Sequence, residues 1–462
     1  MKLTLAFAAT AAALATTNHG QSEQVSLVDE YKHNVQTGIE TFWDTLPYPA
    51  TLFSTIEKRI TETIRRTTNN AVDLDDSGSG SDSDSDDDDD HHHHPPHRRP
   101  PGRGHRHHGD RTKTIYEQIK ESKYTTKFAK LVEEHDEIKS LLDDTETNHT
   151  IFVPTDRAFD RIPHHPKDPP SKEFILALLK YHALPGLYRV PRILHSDTLP
   201  TELSLETLGG HAQRLRVNLG LFFTLRINLY SKVVAGNIEA KNGVLHAVDG
   251  ILVPPPSQAK LISLLPGSFS TFSLALEKTG LGEELEKEER KSGGTLFAPT
   301  NRAFRRLGPA ANAFLFSDRG RKYLKALLKY HVVLGETLYS DAFYKGKKGD
   351  DETKNGGGTG YWHVDLPSLL DDKAIAVDVK RWKGFVSITL NGFTRVVFKD
   401  GLASDGSVQV VDKVLIPPHK HRDGPPAKEE ENWENISEEE VVARLQPYVE
   451  DKEEKNEEIR DL

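Results

Sequence analysis

A chain of 462 residues with no cysteine and a formal net charge of −10 has the length for two to four domains of roughly 100–200 residues each. The absence of cysteine excludes disulfides, thiolate nucleophiles and cysteine-ligated metal sites. No nucleic-acid footprint is present, because the basic stretch that follows residue 96 is outweighed by the Asp run before it.

The chain opens on a secretory pattern. Met1-Lys2 is a short positive start, Leu3 to Leu14 is uncharged and apolar, and Ala13-Leu14-Ala15 is a small-x-small cleavage site, so residues 1–15 read as a signal peptide. That run is too short for a bilayer, which takes about 20 apolar residues, so no transmembrane span is expected. The charged end, Glu457 to Leu462, lacks the apolar tail of a lipid-anchor signal.

Residues 16–71 read as an amphipathic helical segment. Leu52, Ile56, Ile60 and Ile64 recur every fourth residue, with Glu57, Lys58, Arg59 and Arg65 between them. Val25, Val28, Tyr31, Val35, Ile39 and Phe42 mark an earlier helix, and Pro47 and Pro49 part the two. Such a pair packs on itself or on the domain beside it; the alternative is a docking helix for a partner or a membrane surface. Residues 72–111 form a low-complexity linker expected to be disordered: ten Asp lie between Asp73 and Asp90, followed by a His/Pro/Arg/Gly stretch. His91, His92, His93 and His94 are the metal-ligand candidates, a weak site for Zn²⁺ or Cu²⁺. No cofactor is expected.

Beyond the linker the chain uses one pattern twice. Thr150-Ile151-Phe152-Val153-Pro154-Thr155-Asp156-Arg157-Ala158-Phe159 returns as Thr295-Leu296-Phe297-Ala298-Pro299-Thr300-Asn301-Arg302-Ala303-Phe304, with seven of ten positions identical. Leu178-Leu179-Lys180-Tyr181-His182 returns as Leu327-Leu328-Lys329-Tyr330-His331. Gly243 to Pro255, with Val248-Asp249-Gly250-Ile251-Leu252, returns as Gly406 to Pro418, with Val411-Asp412-Lys413-Val414-Leu415. Three boxes in the same order mean a tandem repeat of whole domains, residues 112–256 and 257–418, since the period is too long for a solenoid.

Within each repeat, helix-length apolar patterns run over Ile115 to Leu131 and Phe269 to Leu281. The Thr-Ile-Phe-Val and Thr-Leu-Phe-Ala runs are short strands ended by proline. Thr155 and Thr300 stand where helix N-caps would. Leu-rich helices follow at Phe174 to Tyr181 and Tyr323 to Tyr330, then β-rich stretches at Arg214 to Tyr230 and Ala374 to Val397. Closing strands are expected at Gly250 to Val253 and Lys413 to Ile416. Helices followed by strands indicate an α+β class. Residues 419–462 form an acidic tail, in which Ser437 to Glu440 matches a capping box and predicts a short helix.

The three boxes resemble the fasciclin domain family over about two-thirds of the chain. The resemblance implies a wedge of two small β-sheets with helices alongside, and a secreted or cell-surface protein that mediates adhesion or matrix and wall contact without catalysis. It implies a cell-surface, wall or matrix protein or glycan as partner. Some family members act instead in vacuolar or endomembrane sorting and fusion, which makes the vacuolar lumen the alternative destination. By the same resemblance the adhesion candidates are Tyr181, His182, Tyr330 and His331, with Asp249 and Asp412 in the closing boxes. The Asp-Ile pair and the Arg-Gly-Asp triplet of integrin-type ligands are both absent.

His182 and His246 beside Asp156 and Asp249 raise the question of acid–base or metal chemistry. The second repeat answers it: His246 becomes Gln409 and Asn242 becomes Asp405, and glutamine replaces a hydrogen-bonding imidazole but not a general base or zinc ligand. No nucleophile elbow, HExxH or phosphate loop occurs. Structural histidines are therefore expected. The Asn-x-Ser/Thr sites are Asn148, which directly precedes an apolar strand and so should be partly shielded, and Asn435, in the polar tail.

Overall fold

The computed structural model describes residues 34–43, 50–72, 109–161, 170–220, 224–287, 292–341, 360–370, 373–382, 385–417 and 435–449. The signal peptide, the histidine tract and the rest of the low-complexity linker up to residue 108 lie outside these. Two helices come first, α1 (34–43) and α2 (Ala50–Val72). They lodge where the two repeats meet. Val35, Ile39 and Trp43 of α1 and Ile60 of α2 are buried in the core that joins the repeats. Trp43 Nε1 donates to the Pro254 carbonyl at 2.9 Å, and Gln36 Nε2 donates to Ser404 Oγ at 3.1 Å.

Repeat one begins with three short helices, α3 (Ile115–Glu121), α4 (Thr126–Glu133) and α5 (Asp136–Asp143). The single apolar pattern of the sequence is broken at Ser122 to Thr125. Then follow β1 (His149–Pro154), α6 (Asp156–Phe159), α7 (Lys172–His182), β2 (Ala183–Pro185), α8 (Val190–Leu194), β3 (Thr198–Ser204), β4 (Ala212–Leu219), β5 (Leu225–Ile227), β6 (Ser231–Ala240) and β7 (Gly243–Val248). Repeat two runs α9 (Gln258–Ser263), α10 (Pro266–Thr279), α11 (Leu281–Lys287), β8 (Gly294–Pro299), α12 (Asn301–Arg306), α13 (Pro309–Leu315), α14 (Arg321–Lys329), β9 (Val332–Leu334), β10 (Gly360–Pro367), β11 (Ala374–Trp382), β12 (Phe385–Leu390), β13 (Thr394–Ala403) and β14 (Gly406–Val411).

Each repeat folds one curled seven-stranded sheet, ordered β2-β1-β7-β6-β5-β4-β3 and, from the other end, β9-β8-β14-β13-β12-β11-β10. The fold is α+β, two tandem domains of the same topology. The first box supplies a central strand, β1 or β8, paired in parallel with the closing strand, β7 or β14. All six residues of β1 and of β8 are buried, which is why the box reads as an unbroken apolar run. Pro154 and Pro299 end these strands and release the chain into a helix.

The strands expected at Gly250 to Val253 and Lys413 to Ile416 are irregular segments. Leu252 and Leu415 are buried there, but their N–H groups bond imidazole nitrogens and not a neighbouring strand. The closing strands lie just before, at β7 and β14.

The large core cluster crosses the junction, joining Leu208 and Leu215 of repeat one to Val397 and Phe398 of repeat two. Polar ties flank it. Gln213 Nε2 donates to the Ala403 carbonyl at 2.8 Å, and Lys399 meets Asp197 at 2.8 Å. The tail contributes α15 (Glu438–Leu445), capped by Ser437, with Val441 and Leu445 buried against repeat two. Truncating Phe398 to Ala should cost about 3–5 kcal/mol. Because its core is shared, the tandem pair should still melt as a single transition; two calorimetric transitions would show that the repeats fold separately.

Candidate functional site

The box residues were the sequence's candidates, and the structure shows what each one bonds. Tyr181, His182, Tyr330 and His331 are all fully buried. Leu252 N–H donates to His182 Nε2 at 3.0 Å, so the ring proton sits on Nδ1, which donates to the Leu178 carbonyl at 2.8 Å. His331 repeats this with Leu415 N–H at 2.9 Å and the Leu327 carbonyl at 2.9 Å. Tyr181 Oη donates to the Arg214 carbonyl and accepts from Asn228 Nδ2, both at 2.9 Å. Tyr330 does the same with Ala374 at 3.3 Å and Asn391 at 3.0 Å. These four side chains therefore pin the Leu-rich helix to the sheet and to the closing segment. They present no surface to a partner.

The remaining positions pair across the repeats in the same way. His246 accepts from Asn237 N–H at 3.3 Å through Nδ1 and donates from Nε2 to the Tyr188 carbonyl at 2.8 Å. Gln409 accepts from Asp400 N–H at 3.1 Å and donates to the Leu338 carbonyl at 2.8 Å. The amide reproduces the imidazole's two bonds. Asn242 Oδ1 accepts from Ile115 N–H at 2.8 Å, and Asp405 Oδ1 from Gln258 N–H at 2.8 Å, each at the start of its repeat's first helix. Asp156 and Asn301 accept from Lys127 and Thr271 N–H at 2.9 Å, in the first turn of α4 and the second turn of α10. Asp249 and Asp412 accept from Lys232 N–H at 2.7 Å and Arg395 N–H at 3.2 Å. Asp249 stays partly exposed and Asp412 is buried.

Sequence reasoning missed Asn228 and Asn391, whose amides hold the two tyrosines. The available signal was an asparagine just past a β-branched or leucine strand in both repeats, at Ile227-Asn228 and Leu390-Asn391. Both adopt a left-handed backbone, φ 51° and 50°, which asparagine tolerates. Thr300 accepts a cap bond from Ala303 N–H at 3.2 Å, whereas Thr155 makes no such bond.

Asn148 is exposed; shielding begins one residue later, where β1 starts at His149. Asn435 is also exposed, yet the tail is not free there. Its N–H donates to the Arg306 carbonyl at 3.0 Å, its φ is 60°, and Ile436 beside it is buried. Among the described residues no group of three or more His, Asp or Glu side chains is arranged to hold a metal ion.

A second feature lies at the junction. A cavity of about 90 Å³ is bounded by Trp43 of α1, Tyr181 and Tyr230 of repeat one, and Phe269 and Phe398 of repeat two. Arg216 also lines it. Its guanidinium stacks over the Phe398 ring at 4.0 Å, the residue is 8% exposed, and Nη1 is buried without a hydrogen-bond partner. Burial holds this guanidinium down at about 10, while Asp400 and Asp197 act in the opposite sense. Both carboxylates are engaged elsewhere, Asp400 by Ser340 N–H at 2.8 Å and Asp197 by Lys399. The cavity thus offers an apolar wall and one under-bonded cation.

Burial also holds the His182, His246 and His331 rings down at about 4, against 6.5 for a free imidazole. The unfolded chain takes up protons at these rings near pH 6.5 while the folded rings stay neutral. Their contribution to stability is complete above pH 6.5 and is lost as pH falls towards 4, by roughly 3 kcal/mol per ring at full expression. Thermal melts from pH 7.5 to 4 should show a steep loss of Tm below pH 6.5. His246→Gln should keep the fold and flatten that slope by one ring. His182→Ala, which orphans Leu252 N–H and the Leu178 carbonyl, should destabilise at every pH. Equal damage from both changes would refute the assignment.

The Fasciclin domain family matches residues 123–254 and 267–417. The Aurofusarin biosynthesis cluster protein S of Gibberella zeae is 29% identical over 73% of this chain and 87% of its own length. Stabilin-2 of Mus musculus is 27% identical over 35% of this chain, but the match spans only 6% of that much longer protein. A solved FAS1 domain pair from the insect cell adhesion molecule Fasciclin I covers 63% of this chain and 96% of its own, at 18% identity and a TM-score of 0.32. With both repeats matched over more than half of the chain, the chain belongs to the Fasciclin domain family.

Proposed function

We propose that the chain is a secreted or cell-surface adhesion protein that engages a wall, matrix or cell-surface protein or glycan by surface contact and catalyses nothing. The observation that carries this reading is the matching use of the box imidazoles, carboxylates and amides in the two repeats. In both repeats the imidazoles, carboxylates and amides are spent on backbone groups, and Gln409 takes over the bonds of His246. Family membership supports it, since fasciclin domains mostly mediate cell–cell or cell–matrix contact. Among the described residues no helix is long and apolar enough to cross a membrane, which is compatible with release into the secretory lumen. A vacuolar destination remains the alternative within the same pathway.

Two repeats held in one unit present two surfaces at fixed spacing, so a multivalent partner gains effective concentration. Surfaces coated with the tandem pair should retain cells or isolated wall material well above surfaces coated with either repeat alone. Equal retention by single repeats would discard avidity. No retention by any form, with the tagged protein held in the vacuole, would favour the endomembrane role.

The junction cavity favours a second reading, in which a small organic anion binds between the repeats. Arg216 supplies the charge, the aromatic walls supply the apolar contact, and a relative named for a biosynthesis cluster is consistent with a small-molecule setting. Butyrate should then raise Tm at concentrations where butanol does not. Equal effects of acid and alcohol would remove this reading.

A further inference from the structure

The two repeats carry the same sheet face, and among the described residues only one of those faces is covered. In repeat one, β4 turns Arg214 and Arg216 towards repeat two. Arg214 meets Asp341 at 3.6 Å, and Arg216 lies over Phe398. Matching bonds give the corresponding positions in repeat two. Arg216 N–H donates to Asn228 Oδ1 at 2.9 Å, and Ala376 N–H donates to Asn391 Oδ1 at 3.1 Å. Ala374 and Ala376 therefore stand where Arg214 and Arg216 stand. Thr198 faces Arg216 across the strands as Asp365 faces Ala376. Strand alternation places Asp365 and Asp378 on this same outer face, while Leu366 and Val377 enter the core.

Among the described residues nothing covers the face in repeat two. Ala374 and Asp365 are exposed. The strands there also run further than in repeat one, adding Tyr361 at 60% exposure, Trp382 at 58% and Phe385 at 75%. Trp382 and Phe385 pair directly across the β11–β12 hairpin, which makes a contiguous aromatic end to the face. Exposed apolar groups in such a cluster mark an interaction surface.

The surface that covers repeat one also has a counterpart. Repeat two docks through Asp341, Val397 and Phe398. Register against the closing strands places Val234 and Ala235 of repeat one where Val397 and Phe398 stand in repeat two. Asn237 and Asp400 confirm the match: both have a left-handed backbone, and they accept from Val190 and Ser340 N–H respectively. Val397 is 4% exposed and Val234 is 50% exposed. Arg189 and Arg192 lie exposed on the same edge, with Leu194 at 40% exposure.

One pair of charges has its signs exchanged between the covered and the free surfaces. Inside the chain, a face bearing Arg214 and Arg216 meets a surface bearing Asp341 and Asp400. The free surfaces are a face on which Asp365 and Asp378 alternate with His363 and Lys380, and an edge on which Arg192 stands beside the Arg189–Glu239 pair, so the exchanged charges are Asp365 and Arg192 and the rest of the match is the exposed aromatic end against Val234 and Leu194. We propose that the open face of repeat two binds the Val234 edge of repeat one in a second copy of this chain, repeating between molecules the contact made within one. Such a contact is heterologous, so each addition leaves the next face open and the assembly grows as a linear chain unless the rotation closes it. The inference stands apart from the identity of any wall or matrix partner.

Sedimentation of the mature full chain over a range of concentrations tests it. Wild type should gain mass past the dimer as concentration rises. Ala376→Arg places on the face the residue that repeat one already carries at that register, so the strand accepts it, and the new cation sets bulk and charge against Arg192 and the apolar edge. Val234→Asp sets an acid on the edge against Asp365 and Asp378. Each variant should melt like wild type and self-associate about tenfold less or worse. An equimolar mixture should form a one-to-one pair and stop, because it holds one intact face and one intact edge. A protein that stays monomeric at all concentrations overturns the proposal. So does association that neither variant disturbs, and so does a dimer abolished by Ala376→Arg but untouched by Val234→Asp, which would mean face-to-face pairing.

Discussion

A buried backbone N–H must find an acceptor, and where the last strand of each repeat ends the sheet no longer provides one. Leu252 and Leu415 sit at that point, and a neutral imidazole accepts from each. The consequences spread outward. The ring's other nitrogen must carry the proton and is satisfied by a carbonyl one helical turn back, so the histidine ends the Leu-rich helix at a fixed height. The adjacent tyrosine then reaches the far side of the sheet, where its hydroxyl and an asparagine amide complete the strand turn. An unmet backbone group in such a place costs about 1–3 kcal/mol. The Tyr-His pair is therefore the hinge on which helix, sheet and closing segment agree, and these adhesion candidates of the sequence have no exposed surface.

Duplication made this network visible. Where a position differs between the repeats, the bonds are conserved and the chemistry is not. Gln409 for His246 and Asp405 for Asn242 keep their acceptor and lose their titration or their donor. That pattern belongs to scaffolding, since a catalytic imidazole has no amide substitute.

The same duplication separates the repeats on their outsides. A face that carries arginines in repeat one carries alanines and aspartates in repeat two. The difference follows from position in the tandem. Repeat one's face is desolvated by its neighbour, so its cations need rings and carboxylates close by, while nothing among the described residues covers repeat two's face, which holds exposed aromatic side chains. The N-terminal helices add to this asymmetry, because Trp43 and Ile60 pack into the core at the junction.

Much of this architecture was legible in the residues alone. Apolar runs bounded by proline marked the central strands, and box order established two domains. The exchange of His246 for Gln409 identified a hydrogen-bonding role, because donor and acceptor capacity is a property of the side chain itself. The closing strands were misplaced by a few residues, since the apolar pattern of Gly250 to Val253 and Lys413 to Ile416 reports burial and says nothing of whether an N–H goes to a strand or to an imidazole. Local periodicity likewise could not show that Tyr181 and His182 are fully enclosed while Tyr361 and Trp382 are open to water. Exposure is set by what stands opposite, and only tertiary packing decides which copy of a repeated face meets its neighbour.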